Sequence, residues 1–567
     1  MRTICVATFA WAFLLLTTPA RADETSSSPT PGLAPNILLL IAEDLSPRIG
    51  SFGDTLARTP NIDDLAAEGT RYTQVFTTAG VCAPSRAALL TGQHQISFGG
   101  QHMRTTTGPL GPYLAQPAAE VKAFPERLRA AGYYTYTDRK LDYQFSSVWA
   151  GSGPFTIWDE EAAEATAWRN RRADQPFFAL INFMETHESG VMPASGPAHS
   201  RTHGATQEMR RAQGLVAPSV THPADVVLPP YYPDLPEVRA DLARHYDNIH
   251  AMDKKVGEIL AALAADDLLN NTIILWTTDH GDGLPRAKRE LFDSGTRVPL
   301  ILRIPAALRA SQVMRDTKPD NSVDHRLISF VDLAPTLLTF AGITPPAYLH
   351  GSNFLTSDRQ YVYASRDRID EIMDRQRSIR SDRYKYIRSW YPEVPGGHPL
   401  NYRDNLEMVR AWRQAWLDGR LSDAQSRWFE AAGEEQLYDI QADPHELQNL
   451  ADSEAHQAIR QQLRETLDAF LFAVGDTGAM PEAQLRAQYL HNDKIPQTPP
   501  PTLVVENGLL TLTSETGASI GYRLSNSPNW YLYTQPVSIN DRELSSVTAK
   551  AVRYGWRESS EILHRFH

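Results

Sequence analysis

Side chains able to bind a metal or move a proton fall directly after short apolar runs. Glu43 and Asp44 follow NILLLIA (36–42), Lys140 follows YYTYTDR (133–139), His187 follows FFALINFMET (177–186), and Asp279 and His280 follow TIILWTT (272–278). Open α/β sheets assemble their sites at the carboxyl ends of strands, so these residues, distant in sequence, are expected to meet in one crevice. Glu43, Asp44 and Asp279 offer carboxylate oxygens and His280 an imidazole. Hard oxygen donors suit Ca²⁺ or, second, Mg²⁺, whereas nitrogen and sulfur would select zinc. Adjacent acids after a strand are more often helix caps than ligands; a second pair at another strand end turns this one toward ligation.

The stretch CAPSRAALLTG (82–92) adds a thiol. Pro84 suits the first helical position and Gly92 a C′ residue, which sets Cys82 at or just before a helix N-terminus. Arg86 lies one turn later on the same face. Three readings stand open for Cys82: a buried small hydrophobe, a thiol made reactive by the helix terminus, or a modified residue. The other cysteine, Cys5, belongs to an N-terminal segment with Arg2, the apolar run ICVATFAWAFLLL and the small-residue pattern TTPARA, read as a signal peptide over 1–22. Its removal leaves Cys82 alone and no intrachain disulfide, although export to an oxidising compartment is expected.

Strands must position these groups, and 36–42, 133–137, 177–183, 272–278 and 298–304 read as strands, with helical patterns at 59–69 and 237–267, the latter as one helix or two. Interleaved strands and helices predict an α/β layer with a mostly parallel sheet. Residues 23–34 read as a disordered lead-in and 189–235 as a long surface excursion without periodicity. A Pro-rich linker (492–502) precedes short alternating strands, read as a small β-sandwich over 503–567. The net charge of −12 argues against a nucleic-acid binder. No stretch after the signal peptide is apolar enough to span a membrane, so a periplasmic or secreted protein is expected.

The CAPSR and LLTG segments resemble the C-x-P-S-R-x-x-x-L-T-G signature of type I sulfatases, in the alkaline-phosphatase-like superfamily. The likeness extends over about residues 35–475 through NILLLIAEDL, THES, TTDHGD, KRELFDSGTRVPLIL and QLYDIQADPHELQNLA, and its flavour is that of glycan sulfatases, heparan N-sulfoglucosamine sulfohydrolases among them. It implies a mixed sheet flanked by helices (35–375), a smaller C-terminal α+β subdomain (376–491), and conversion of Cys82 to formylglycine by a formylglycine-generating or anaerobic sulfatase-maturating enzyme. It further implies Ca²⁺ held by Glu43, Asp44, Asp279, His280 and the modified Cys82, stabilisation of the formylglycine hydrate by Arg86, sulfate contacts from Lys140 and Lys288, and proton donation by His187. Members more often carry Asp at the position of Glu43 and Asn at that of His280. In RKLDY (139–143) Asp142 replaces a histidine that in the family contacts the formylglycine hydroxyl; either Asp142 serves, or His94 or His102 fills the gap.

An exported carbohydrate sulfatase, acting on a sulfated polysaccharide or oligosaccharide such as ulvan, is therefore the primary expectation. A sulfamidase or a phosphonate or phosphate ester hydrolase of the same superfamily is the alternative, and a decayed enzyme serving as a glycan-binding protein a third. Candidate sugar contacts are His102, Arg104, Asp142 and the segments 189–235 and 389–412. Within those segments His199, His203 and His222 read as exposed loop histidines, and Trp390, Tyr391 and Trp412 as core packing or sugar platforms.

Overall fold

A computed structural model describes residues 34–566, apart from 107, 310–313, 315 and 540–543. The signal peptide read at 1–22, and the lead-in up to residue 33, lie outside the described residues.

An eight-stranded mixed sheet forms the centre. In chain order its strands are β1 (Asn36–Ala42), β2 (Thr70–Phe76), β3 (Tyr134–Thr137), β4 (Phe177–Phe183), β5 (Thr272–Thr278), β6 (Arg297–Arg303), β7 (Ser322–Asp324) and β8 (Ile328–Ser329). Their spatial order is β3-β4-β1-β5-β6-β2-β7, with β8 paired to β2. β1 runs parallel to both β4 and β5, while β6 is antiparallel to its neighbours β5 and β2. The uninterrupted apolar runs of β1, β4 and β5 follow from burial on both faces. Ile37, Leu39 and Ile41 pack into one core with Leu89, Leu90, Leu333 and Leu337. Leu38, Leu40 and Ala42 pack into the other, against Leu242, Ile249, Val256 and Leu263.

Those last four belong to a single helix, Pro236–Ala265, which settles the 237–267 pattern as one element. Its internal Gly257 has a packing reason: a Cβ there would lie 2.3 Å from Asn61 Oδ1, on helix α1 (Pro60–Ala67). The excursion at 189–235 is less irregular than its composition implies. It holds a helix, Arg201–Ala212, capped by the Ser200 hydroxyl, which accepts from His203 N–H. Its face is mostly polar, so it carries no apolar period to read.

Beyond the sheet, Val362–Ile369, Ile372–Arg380, Tyr384–Ser389 and Glu435–Asp439 form a four-stranded antiparallel sheet covered by the helix Gln457–Val474. A division drawn at 375/376 thus falls inside its second strand. From Thr502 two antiparallel sheets, of three and four strands, share a core of Leu510, Leu512, Ile520, Leu524, Val547 and Ala549. The 492–502 segment is tied back by hydrogen bonds between Thr498 and Arg557 and between Arg557 and Pro496, both 2.9 Å.

Candidate active site

Helix α2 (Cys82–Thr91) begins with Cys82 as its first residue, after an extended Val81, and ends on Gly92 at φ 64°. Pro84 sits at the third position and not the first. The Cys82 side chain is buried beside Ala79, Val81 and Ile369. Burial pushes its thiol up, and Lys140 and Lys288 do not fully offset this. Desolvation of the anion thus works against the reactive-thiolate reading. One turn later Arg86 is fully buried, reaching the Glu43 carboxylate, Asp279 Oδ2 at 3.1 Å and Asn182 Oδ1 at 2.5 Å.

Register explains how two acidic pairs meet. Ala42 of β1 lies opposite Thr278 of β5 in a parallel pair, so Glu43–Asp44 and Asp279–His280 leave the sheet side by side. Asp44 turns at φ 51°, a left-handed backbone that Asp tolerates better than most residues, and its N–H donates to Asp279 Oδ1 at 2.9 Å. The His280 Nδ1 donates to the Gly281 carbonyl at 2.9 Å, which leaves Nε2 free to face the carboxylates. Nε2 and Asp44 Oδ1 are buried and 2.9 Å apart.

Electrostatics show what this cluster lacks. Against burial, Lys288 and His280 hold the Asp44 carboxyl well below its usual range, and His280 and Arg86 lower that of Asp279. Burial pulls the His280 imidazole down, but Asp279 and Asp44 override it and bring it up to about 10. His280 thus holds a proton where the surrounding carboxylates call for more positive charge. Orphaned, convergent oxygens with one oriented imidazole fit a divalent cation of the Ca²⁺ or Mg²⁺ kind. Ligand atoms of Cys82, Asp279 and His280, and of Glu43, Asp44 and His187, form two clusters, each within 4.8 Å.

Cations ring the same space. Lys140 Nζ lies 2.8 Å from Glu43 Oε2 and 3.4 Å from Asp142 Oδ2. Burial, with Asp279 and Asp142, raises the Glu43 carboxyl to about 7 in spite of Arg86 and Lys140. Lys288 Nζ is 2.5 Å from Asp44 Oδ2 and 3.7 Å from Glu188 Oε2. His187 Nδ1 accepts from Ser189 N–H at 3.2 Å, an assignment that puts the neutral ring's proton on Nε2. Where the His187 segment meets DHGDG, only Gly283 fits: a Cβ would come within 2.8 Å of Glu188 Cα and 3.0 Å of Asp44 Oδ2.

The substitution in RKLDY is resolved by placement. Asp142 is in the site, 3.7 Å from Arg86 Nε as well as beside Lys140. His94 sits beyond the opposite end of α2, among His350, Tyr363 and Phe470. His102 is paired through Nε2 with Arg368 at 2.8 Å, and Arg104 is bound to Glu482 and the Asp370 carbonyl, both at 2.9 Å. Arg104 is thus neutralised from a distant part of the chain, whereas His102 keeps a buried Nδ1 without a partner. Trp412 is core, stacked on Trp428, and Trp390 carries the guanidinium groups of Arg375 and Arg388. His203 is buried and bonded to the Pro193 carbonyl, not exposed; His199 and His222 are exposed.

Sequence reading missed Asn182, Asp138 and Glu188. Asn182 is the one polar residue within the apolar run of β4, a detectable signal, and it links Arg86 to Asp138. Glu188 pairs with both Lys288 and Arg289. The loop bearing Lys140 and Asp142 is also braced from the C-terminal sheets. Tyr554 stacks on Phe145 with centroids 4.9 Å apart, and Phe145 in turn packs on Tyr143.

Comparison with known proteins gives concordant matches. The family profile described as Sulfatase matches residues 35–343. Over 559 residues the chain is 38% identical to an ulvan-active sulfatase of Formosa agariphila, covering 93% of this chain and 91% of that protein. It is 26% identical over 471 residues to human N-sulphoglucosamine sulphohydrolase, covering 76% of this chain and 89% of that one. A solved 2-O GAG sulfatase shares the fold with a TM-score of 0.54 and 20% identity, covering 78% of this chain and 93% of that structure.

Proposed function

The chain belongs to the sulfatase family and is a carbohydrate sulfatase, a sulfuric ester hydrolase; from that premise we propose that it is exported, to the periplasm or beyond, and removes sulfate esters from ulvan or its oligosaccharides with formylglycine made from Cys82 and one Ca²⁺. The observation that supports the reading is the gathering of Lys140, Lys288, Asp142, Asp279 and His280 about Cys82, at the start of α2, with Glu43, Asp44 and His187 in an adjoining cluster joined to it through Asp44 and Asp279. The ulvan assignment draws on likeness across nearly the whole chain to a protein described as ulvan-active. Among the described residues no helix is long and apolar enough to cross a membrane.

Glu43, Asp44, Asp279 and His280 would hold the cation, which supplies positive charge that acidifies a neighbouring hydroxyl and draws in a sulfate oxygen. Formylglycine supplies, as its hydrate, a hydroxyl nucleophile with a second hydroxyl beside it for release. This chain's own side chains do the rest. Lys140 and Lys288 both act on Cys82 and His187 and are placed to hold the charge of the transferring sulfate. Arg86, without solvent exposure, fixes Glu43 and Asp279 against one another and keeps their charge compensated. Asp142, between Arg86 and Lys140, orients both.

His187 donates the proton to the departing sugar oxygen. In the free protein burial, then Lys288 and Lys140, hold its imidazole well below the usual range against the pull of Asp44, so it is neutral. An anionic sulfate between the lysines cancels their effect and raises the imidazole. Ligand binding then takes up a proton, and affinity for a sulfated ligand strengthens as pH falls. Calorimetry in buffers of different ionisation enthalpy is expected to register this uptake, and His187→Gln to remove it. That variant is also expected to lower kcat about 10²- to 10⁴-fold on sugar sulfates, and less on aryl sulfates whose leaving group needs no proton. Equal losses on both substrates would assign the donor role elsewhere.

The function itself is tested by co-expression with a formylglycine-generating enzyme. Sulfate release is then followed on ulvan oligosaccharides, N-sulfoglucosamine and matched aryl sulfate and aryl phosphate esters. Turnover of the ulvan substrate is expected; preferred cleavage of N-sulfoglucosamine or of the phosphate ester replaces this reading with the corresponding alternative.

A further inference from the structure

A cavity of about 660 Å³ lies against the carboxyl ends of β3 and β4, the strands that deliver Lys140 and His187. Lys140 and Asn182 are on its wall, and Asn182 touches Arg86; the wall continues through Met184 and Glu185 toward the His187 segment. Its volume falls within the roughly 300–1,000 Å³ of ligand clefts. Trp149 stands at this cleft with 52% of its surface exposed. Its backbone is tied in place. Lys140 and Trp149 form an antiparallel bridge, with Leu141 N–H donating to Val148 at 2.7 Å and Ala150 N–H to Arg139 at 3.0 Å. The backbones of Trp149 and of a lysine of the reaction centre are thus held on one narrow ribbon.

Three kinds of surface meet in the cleft. Trp149, with Tyr136, Ile181 and Ile259, gives an apolar side. Glu164 and Glu258 are exposed carboxylates able to accept from hydroxyls. Arg139 is exposed and pairs with no carboxylate among the described residues. A ring with an apolar face, several hydroxyls and one anionic substituent matches that combination. A lipid lacks the hydroxyls, and the two carboxylates repel a polyphosphate.

We propose that this cleft is the subsite for the sugar adjoining the sulfated residue, with Trp149 stacking on its face and Arg139 taking its anionic substituent. The proposal rests on the sulfatase reading and says where the remainder of that substrate lies. Neither residue belongs to the reaction centre, so substrate length separates binding from chemistry.

The test uses the full-length matured protein with a sulfated ulvan tetrasaccharide and with 4-nitrocatechol sulfate, which has no neighbouring sugar. Trp149→Ala is expected to raise KM for the tetrasaccharide about tenfold, the upper end for loss of one aromatic contact, with kcat nearly unchanged. Both constants for the aryl sulfate should stay put, and Trp149→Phe should restore most of the tetrasaccharide affinity. Arg139→Ala is expected to raise the tetrasaccharide KM about threefold at low salt and hardly at all at high salt. An unchanged tetrasaccharide KM in Trp149→Ala overturns the proposal. Equal losses on both substrates also overturn it, making Trp149 a prop for Lys140. The unaltered protein is the control for the underlying reading: hydrolysis of the aryl sulfate without any of the tetrasaccharide defeats the ulvan assignment, and with it this subsite.

Discussion

Cys82→Ala in protein matured by the converting enzyme is expected to abolish sulfate release, by about 10⁵-fold or more, while the unfolding midpoint hardly moves. The two halves of this result have separate physical origins. Structurally, the change replaces the small oxygen-bearing formylglycine side chain with a methyl group in a pocket formed by Ala79, Val81 and Ile369, worth about 1 kcal/mol. In a chain of this size that is a shift of about 2 °C. Chemically, it removes the precursor of the nucleophile. Cys82→Ser should be equally inactive, since a serine has one hydroxyl to attack with and none to expel the product. Protein made without the converting enzyme is expected to match these variants: burial keeps its thiol protonated, so no thiolate takes over the attack. Sulfate assays joined to mass spectrometry of the peptide containing residue 82 check all three. Turnover by Cys82→Ala within tenfold of the matured protein would end the formylglycine reading.

Much of the site was legible because one physical cause, burial of the sheet on both faces, produced both the apolar runs and the polar residues at their ends. NILLLIA, FFALINF and TIILWTT coincide with β1, β4 and β5, and Glu43, Asp44, His187, Asp279 and His280 emerge where the runs stop. What resisted reading lacked that signature. β2, TRYTQVF, alternates polar and apolar residues and carries a bulge between Tyr72 and Val75, so it shows no buried run although it leads the chain toward Cys82. His102 and Arg104 follow α2 closely in sequence, yet Arg104 is neutralised by Glu482, a partner 378 positions away. Asp142 is the opposite case. Its position in the motif marked it as a departure, and only the fold brings its carboxylate to the same two cations, Arg86 and Lys140, that the site needs oriented.

Removal of divalent cations with a chelator is expected to lower turnover about 10³-fold or more, with Ca²⁺ restoring it better than Mg²⁺. The protein should remain folded, because His280 offers a substitute positive charge: its imidazole, brought up to about 10 by Asp279 and Asp44, holds a proton among the carboxylates at neutral pH. Cation binding must displace that proton. Below pH 10 the ion-free protein carries the His280 proton that the loaded protein lacks, and below about pH 7 the Glu43 carboxyl adds a second, so affinity rises with pH, by about tenfold per unit for each proton released. A cation at 100 times its Kd adds about 2.7 kcal/mol to stability, seen as a higher unfolding midpoint that grows with pH. Asp279→Ala is expected to lose turnover and this thermal response together, since it removes a ligand and strips Arg86 of a partner at 3.1 Å. His280→Gln should retain part of the affinity and lose the pH dependence above about pH 7, leaving that of Glu43, because an amide oxygen can ligate but has no proton to release. Calorimetric titration with Ca²⁺ at two pH values distinguishes these outcomes. Binding with no proton release in the unaltered protein, or full turnover after chelation, would show that His280 and its carboxylates hold one another for structural reasons alone.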